Sequence, residues 1–204
     1  MESCKPTFVI FNETFCENEE NVKVAGYKTY SKNRNNRKGG GICILVEESW
    51  NAKCVEVKDE RLEEEEILIV KVHKGRCPLN IMTTYGKQER GEAEAKEDIA
   101  RQIDMWEQII IEMQQKEENI LWIGDLNVKV GNDDQGIKGN HAEITHGGRI
   151  RKLIKDRNLQ LMNATEKCTG LWTRINTQRK DEKSILDYVI TSQKMKDRIQ
   201  KMHI

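Results

Sequence analysis

The sequence predicts a mixed α/β domain, and two features of its pattern carry that prediction. Short apolar runs separated by turn residues or charges indicate buried strands, and one long segment with apolar residues at helical spacing indicates a helix. The chain has 204 residues, of which 37% are hydrophobic and 33% are charged. This length suits one domain with its own core, and the clustering of so few apolar residues argues against disorder.

The apolar runs predict strands near 7–12, 27–31, 41–46, 53–58, 66–73, 79–85, 120–124, 159–163 and 185–191. Helices are predicted at 91–116, 148–157 and 193–202. The first helix is supported by an apolar stripe and the second by a shorter one: Ile99, Ile103, Trp106, Ile110 and Met113, then Ile150, Leu153 and Ile154. Strands, a long helix, a strand, a helix and further strands are typical of a layered α/β domain.

Charge and cysteine content limit the functional classes. The chain has 34 basic and 34 acidic residues, but the last quarter, 149–204, is basic and the rest is acidic. That quarter could face a nucleic-acid backbone, although on charge alone a solvated helical surface is the simpler interpretation. The six cysteines form no CxxC pair, so we expect reduced, buried thiols in an intracellular protein, in nucleus or cytoplasm. No apolar stretch is long enough to span a membrane, and no membrane partner is expected.

The most informative stretch is ILWIGDLNVKVGND at 120–133. An apolar strand runs directly into Asp125 and Asn127, which are two residues apart and so point the same way. The carboxylate could accept a proton from water while the amide donates to a phosphate oxygen. A turn stabilised by the Asp125 side chain explains the same residues, and would be preferred if this stretch stood alone.

Two further strands end in residues with suitable chemistry. Glu13 follows the apolar run FVIFN and offers the hard oxygen donors that Mg²⁺ prefers, although a lone glutamate is more often an exposed loop acid. Tyr85 ends the run LNIMTTY and could donate its hydroxyl to a phosphate, or be a half-buried tyrosine at a strand edge.

The stretch LWTRINTQRKDEKSILDYVITS at 171–192 adds a third group. Asp187 leads a strand, and Thr173 and Arg174 precede a basic loop where an arginine could meet phosphate. His141 and His146 are predicted to be surface loop residues, because no other ligand cluster lies near them in the sequence.

In order, the chain shows NETF, RNNRKGGGICILV, NIMTTYGKQ, NILWIGDLNVKVG, GGRIRKLIKDRNLQLMN, LWTR and SILDYVITS. This series resembles the endonuclease/exonuclease/phosphatase superfamily, which includes deoxyribonuclease I-like nucleases and abasic-site endonucleases. It is most similar to the endonuclease domains that precede reverse transcriptase in non-LTR retrotransposons. The resemblance runs from about Phe8 to Met195.

The resemblance implies a four-layer α/β sandwich of two packed mixed sheets flanked by helices, with Mg²⁺ (or Mn²⁺) as cofactor. It implies that Glu13 binds the metal, that Tyr85 contacts the scissile phosphate, and that Asp125 and Asn127 activate water and hold the phosphate. Asp187 matches the aspartate that orients a catalytic histidine. Thr173 and Arg174 match positions that contact the nucleic-acid backbone, which makes DNA the expected partner.

Two departures from the family pattern lead us to expect an incomplete copy of a single domain over residues 1–204. The first strand, with its metal-supporting asparagine, and the C-terminal Asp-His segment are both missing. His203 lies too close to Asp187, within or just after a predicted helix, to replace the catalytic histidine. We therefore expect a weak or inactive monomeric endonuclease of retrotransposon origin. The alternatives are a non-catalytic nucleic-acid-binding remnant and a phosphatase of the same superfamily.

Overall fold

The computed structural model describes residues 5–16, 22–34, 39–57, 63–73, 78–88, 93–116, 118–130, 145–170, 172–178 and 183–204. Their contacts divide the chain into two units, Met1–Tyr85 and Gly86–Ile204. Within the described residues, no helix is both long enough and apolar enough to cross a lipid bilayer.

The described elements of the first unit are antiparallel strands, which pair in two groups of three. One group has the order β1 (Phe8–Asn12), β3 (Ile42–Glu47), β2 (Tyr27–Lys32), and the other has the order β4 (Asn51–Cys54), β5 (Ile67–His73), β6 (Leu79–Tyr85). The register pairs Asn12, the last residue of β1, with Ile42. The chain therefore leaves the sheet immediately before Glu13.

The two groups of strands pack together through the apolar side chains on one face of each group. Residues two apart on a strand point to the same face, so each strand contributes a row of side chains to the shared core. The buried cluster consists of Ile42, Ile44, Val46, Leu68, Val70, Val72, Ile81 and Tyr85. Because Tyr85 belongs to this cluster, the core fixes the end of β6 and the place where the tyrosine hydroxyl emerges.

The second unit is built on a three-stranded antiparallel group with β12 in the middle. Its order is β7 (Asn119–Asp125), β12 (Asp187–Ser192), β8 (Leu159–Leu161). The helix α1 (Ala93–Gln115) packs against β7 and against α2 (Thr145–Asp156), which also contacts β8.

Aromatic packing ties α1 to β7. The rings of Trp106 and Trp122 meet edge to face, with centroids 5.3 Å apart and planes at 71°, a favoured aromatic geometry. All five apolar residues predicted for the first helix are buried, and so are the three predicted for the second. Both amphipathic helix predictions are therefore confirmed.

Shorter elements complete the second unit. They are β9 (Cys168–Thr169) paired in parallel with β13 (Met202–His203), β10 (Arg174–Ile175) paired antiparallel with β11 (Lys183–Ser184), a 3₁₀ turn at Met162–Ala164, and the single-turn helix α3 (Gln193–Lys196). The strands β9, β10 and β13 contain two residues each, which is too short for any sequence periodicity.

The predicted third helix at 193–202 is wrong beyond Lys196. The Lys167 ammonium donates to the Lys196 carbonyl at 2.9 Å, and the Met202 N–H donates to the Lys167 carbonyl at 2.9 Å. These bonds turn the chain into β13 instead of continuing the helix. The strand predicted at 53–58 lies at Asn51–Cys54, and the one predicted at 159–163 ends at Leu161.

Two predictions about side-chain burial are also corrected. His146 lies within α2 and is 4% exposed, so it is not a surface loop residue, whereas His141 lies outside the described residues. Cys43 is buried, but Cys54 is exposed and Cys16 and Cys168 are half-buried. Burial raises the pKa of the Cys43 thiol to about 11, so it stays protonated at neutral pH.

Candidate active site

The first unit brings Glu13 and Tyr85 together. The Tyr85 hydroxyl donates to Glu13 Oε1 at 2.6 Å, although the two residues are far apart in the sequence. Tyr85 is 8% exposed, whereas Glu13 is exposed on the loop after β1. A buried ring with its polar end at an exposed carboxylate is a suitable arrangement for contacting a charged ligand.

The loop after β1 is held in an unusual conformation. Glu13 has a φ of 55° and Phe15 a φ of 53°, a region that non-glycine residues seldom adopt. The Thr14 N–H donates to the Gly41 carbonyl at 3.1 Å, and the Phe15 N–H donates to the Gly40 carbonyl at 2.8 Å. These two bonds to the run of three glycines at 39–41 hold the strained loop in place. Strain that the surroundings enforce is a common property of functional sites.

In the second unit, Asp125 is the last residue of β7 and Asn127 follows two residues later. Asp125 Oδ1 accepts the Asn127 N–H at 2.8 Å, and Asn127 has a φ of 50°. This is the turn, stabilised by the Asp125 side chain, that the sequence offers as the alternative to a catalytic role. The turn and the catalytic role are compatible, because the same bond fixes the direction of the carboxylate.

The Asn127 amide is held by the residue that follows Tyr85 in the chain. Its Nδ2 donates to the Gly86 carbonyl at 2.8 Å, and the Gly86 N–H donates to the Asp125 carbonyl at 2.7 Å. A Cβ at position 86 would collide with the Leu126 carbonyl. Only glycine allows this close approach of the two backbones, a requirement that was not recognised from the sequence.

Asp187 lies directly opposite Asp125 in the antiparallel pairing of β12 with β7. Residues that are paired across two strands point to the same face, with Cβ atoms about 4.5–5.5 Å apart. The structure thus places two of the predicted carboxylates side by side at one end of the same strand pair. Like charges in this position cost stability, which favours a functional explanation.

Thr173 supports Asp187. Its Oγ1 accepts the N–H groups of Leu186 at 2.9 Å and Asp187 at 3.2 Å, and its hydroxyl is hydrogen-bonded to the Asp187 carboxyl. The pKa of Asp187 is raised, because nearby protein atoms partly desolvate the carboxyl although the residue as a whole is exposed; the bonds to Thr173 and the backbone oppose the shift. Arg174, the next residue, is exposed on β10.

A buried tyrosine holds the chain beyond Asn127. The Tyr188 hydroxyl receives the Val130 N–H at 3.1 Å and lies 3.0 Å from the Val128 carbonyl and 2.8 Å from the Ile185 carbonyl. Tyr188 is 1% exposed. It therefore connects the segment after Asp125 to the start of β12, and the SILDY motif contributes more than its aspartate.

The first unit offers one carboxylate that could be a ligand of a magnesium ion. Within the described residues there is no group of three or more His, Cys, Asp or Glu side chains able to hold a metal. Mg²⁺ is usually bound by one or two carboxylates together with water and substrate phosphate, and needs no such group. The exposed Glu13 carboxylate, hydrogen-bonded to Tyr85, could be such a ligand.

No protein-family model matches the chain, and no curated protein matches it. Solved structures do match. The endonuclease domain of TRAS1, a telomere-specific non-LTR retrotransposon, has a TM-score of 0.61 and 12% identity, over 93% of this chain and 73% of that one.

Two other solved structures resemble the chain as well. An AP endonuclease from Archaeoglobus fulgidus has a TM-score of 0.62 and 14% identity, over 93% of this chain and 77% of its own. The 3′ phosphatase NExo from Neisseria, bound to a product DNA hairpin, has a TM-score of 0.68 and 10% identity, over 95% of this chain and 79% of its own. At these identities the likeness shows the fold. It confirms the α/β sandwich that the resemblance implied.

Proposed function

We propose that this chain, whose fold is that of the endonuclease/exonuclease/phosphatase superfamily, is a metal-dependent phosphodiesterase that acts on DNA as an endonuclease of retrotransposon origin. The fold rests on the solved structures, of which one is a retrotransposon endonuclease and another holds a DNA product. The proposed activity rests on the placement of Asp187 opposite Asp125. A fold alone would not require two acids in that position.

Asp125 is proposed as the general base. It would take a proton from the attacking water while a bond forms from the water oxygen to phosphorus and the bond to the leaving oxygen breaks. The Asn127 amide carries two N–H donors, so one can hold the Gly86 carbonyl while the other donates to a phosphate oxygen. Tyr85 would donate its hydroxyl to phosphate when substrate replaces Glu13 as its acceptor.

Glu13 is proposed as the metal ligand. A bound Mg²⁺ or Mn²⁺ would supply charge neutralisation at the phosphate oxygens. Glu13 would also orient the Tyr85 hydroxyl before substrate arrives. We propose that Thr173 and Arg174 meet the nucleic-acid backbone, and this fits the exposure of Arg174 on β10. Thr173 would also support Asp187, because its hydroxyl bonds the backbone at the start of β12.

We further propose that the 204-residue polypeptide cleaves slowly. The family pairs the equivalent of Asp187 with a histidine, whereas here the Asp187 carboxyl is bonded to Thr173. His203 lies in β13 instead, with its Nδ1 2.6 Å from Thr169 Oγ1. A site in which no histidine joins Asp187 would cleave slower by a factor on the order of 10²–10³. We also propose that the protein is a monomer and that it acts with a reverse transcriptase domain in its parent element.

Nicking of a supercoiled plasmid tests the reaction class. With excess polypeptide we expect slow conversion to open circles in Mg²⁺ or Mn²⁺, none in EDTA, and none with Asp125→Ala. Cleavage that persists in EDTA would overturn the metal dependence. Rapid nicking in Mg²⁺ that Asp125→Ala abolishes would support the reaction class but overturn the proposal that this polypeptide is slow.

A second candidate function is removal of a 3′ phosphate from DNA, which the likeness to the Neisseria 3′ phosphatase favours. Release of inorganic phosphate from a 3′-phosphorylated oligonucleotide, without plasmid nicking, would select it. If neither activity is found, salt-dependent binding of DNA would instead support a non-catalytic nucleic-acid-binding protein.

A further inference from the structure

Glu66 is a buried acid outside the set of residues that the sequence singled out. It is 7% exposed. A buried charge costs several kcal/mol unless it is paired and hydrogen-bonded. Here Arg34 donates to Glu66 Oε2 through Nε at 3.0 Å and through Nη2, and the Gly41 N–H donates to Oε1. Both carboxylate oxygens are therefore used, and Arg34 is held at two points.

The same pair reaches Tyr85 in two ways. The Tyr85 N–H donates to the Glu66 carbonyl at 3.0 Å, and the Arg34 guanidinium lies over the Tyr85 ring, 5.9 Å from its centroid. A cation over a ring face attracts the ring and fixes its plane. Glu66 thus holds Tyr85 directly at the backbone and, through Arg34, at the ring.

We infer that Arg34, fixed by Glu66, is a positioning residue for Tyr85, so that the phenol hydroxyl is directed at Glu13 before substrate binds. This inference rests on the proposed function, in which Tyr85 contacts the phosphate. A polar group that must act on a substrate has to be held to within about 0.5 Å by its neighbours. Arg34 acts through Tyr85 and is not assigned a contact with substrate.

The glycine run gives independent support. Gly40 has a φ of +77°, and a Cβ there would lie 2.5 Å from Glu66 Oε1 and 2.6 Å from the Arg34 guanidinium. Glycine at this position therefore leaves room for the ion pair as well as permitting the turn.

A double-mutant cycle tests whether Arg34 acts through Tyr85. Arg34→Met should lower kcat/KM for plasmid nicking about tenfold in the native background, but less than about twofold in a Tyr85→Phe background. Arg101→Met is the matched control, because that side chain is 73% exposed on α1, and it should change nothing. Equal losses in both backgrounds would overturn the inference.

A second variant separates positioning from stability. Arg34→Met alone leaves Glu66 buried without its cation, so the protein should lose thermal stability. Arg34→Met combined with Glu66→Gln removes both charges, keeps an acceptor for the Gly41 N–H and should restore most of the stability. The inference predicts that kcat/KM stays low in this stable double variant. Recovery of kcat/KM together with stability would show a purely structural role.

A third measurement needs no catalysis. The chain has four tyrosines, so each ¹⁹F resonance of the 3-fluorotyrosine protein can be assigned with one Tyr→Phe variant. Glu13→Gln should move the Tyr85 resonance in the native background but not in the double variant. An equal displacement in both would overturn the inference. Absence of nicking by the native protein would count against the proposed function alone, since this readout would still decide the positioning role.

Discussion

Asp187 faces Asp125 across two neighbouring antiparallel strands, so two carboxylates occupy one cross-strand position at the end of β7. Opposite charges or apolar groups would stabilise this pairing, whereas two acids weaken it. Separately, partial desolvation of its carboxyl raises the pKa of Asp187. The arrangement therefore costs stability at neutral pH.

We predict that Asp187→Asn raises the thermal midpoint at pH 7. Asp187 has a raised pKa in the folded state, so its proton is bound more tightly in the native than in the unfolded chain. The contribution of this carboxyl to folding thus becomes less favourable as the pH rises from the unfolded pKa of 3.8 to the raised folded pKa. Asparagine has no such titration and can still accept a bond from Thr173.

Thermal unfolding of wild type and Asp187→Asn from pH 3 to pH 7 checks this. The advantage of Asp187→Asn should be present at pH 7 and shrink as pH falls toward 3. Asp197→Asn removes the same charge from an exposed position in the same unit and serves as the control. If Asp187→Asn raises the thermal midpoint equally at pH 3 and at pH 7, the predicted dependence on the Asp187 pKa is contradicted.

Thr173 should matter through its hydroxyl. Thr173→Val leaves two backbone N–H groups, those of Leu186 and Asp187, without their acceptor. We expect a loss of about 1–3 kcal/mol in the free energy of unfolding and weaker cleavage. Thr173→Ser keeps the hydroxyl and should retain most of both. Urea denaturation and nicking of the same samples measure the two effects, and equal behaviour of the valine and serine variants would exclude this role.

Tyr188→Phe should destabilise the second unit without changing its apolar packing. The hydroxyl is buried and serves three backbone groups, at Val128, Val130 and Ile185. Removing it should lower the free energy of unfolding by about 1–3 kcal/mol. Tyr27→Phe is the matched control, because that hydroxyl bonds the Pro6 carbonyl in an exposed setting. If urea denaturation shows equal losses for both variants, burial is not the cause.

Gly86→Ala should displace the Asn127 turn. The added methyl would collide with the Leu126 carbonyl, and both backbones belong to the network around Asp125. Overpacking of this kind costs about 1–3 kcal/mol. We expect the far-UV circular dichroism spectrum to be kept while the unfolding midpoint in urea falls. An unchanged midpoint would show that the turn can shift without cost.

Much of the fold could be predicted because its signals are local. The stripe on α1 and the apolar runs of β3 and β7 each specify burial within a few residues, and all of these apolar residues except the half-buried Ile123 are buried. By contrast, β13 is two residues long and forms through contacts with Lys167 and Cys168, which lie far away in the sequence. No local pattern can indicate such a strand.

The candidate site likewise has residues that local sequence signals could identify and others that only the fold reveals. Glu13, Tyr85 and Asp125 could be proposed because each directly ends or follows an apolar strand. Glu66 could not, since it is one of four consecutive glutamates and only the fold makes it the partner of Arg34. The positions of Asp125 and Asp187 in the sequence also do not reveal that they are cross-strand partners. That pairing depends on the register of β7 and β12.

The most direct test of the proposed function is single-turnover cleavage of a labelled DNA duplex by wild type, Asp125→Asn and Asp104→Asn. Asp104 lies on α1 with a side chain 67% exposed, so its variant removes the same charge outside the proposed site. We predict slow cleavage that requires Mg²⁺ or Mn²⁺, a loss on the order of 10²-fold or more in Asp125→Asn, and none in Asp104→Asn. Cleavage by Asp125→Asn at the wild-type rate would contradict the proposed function.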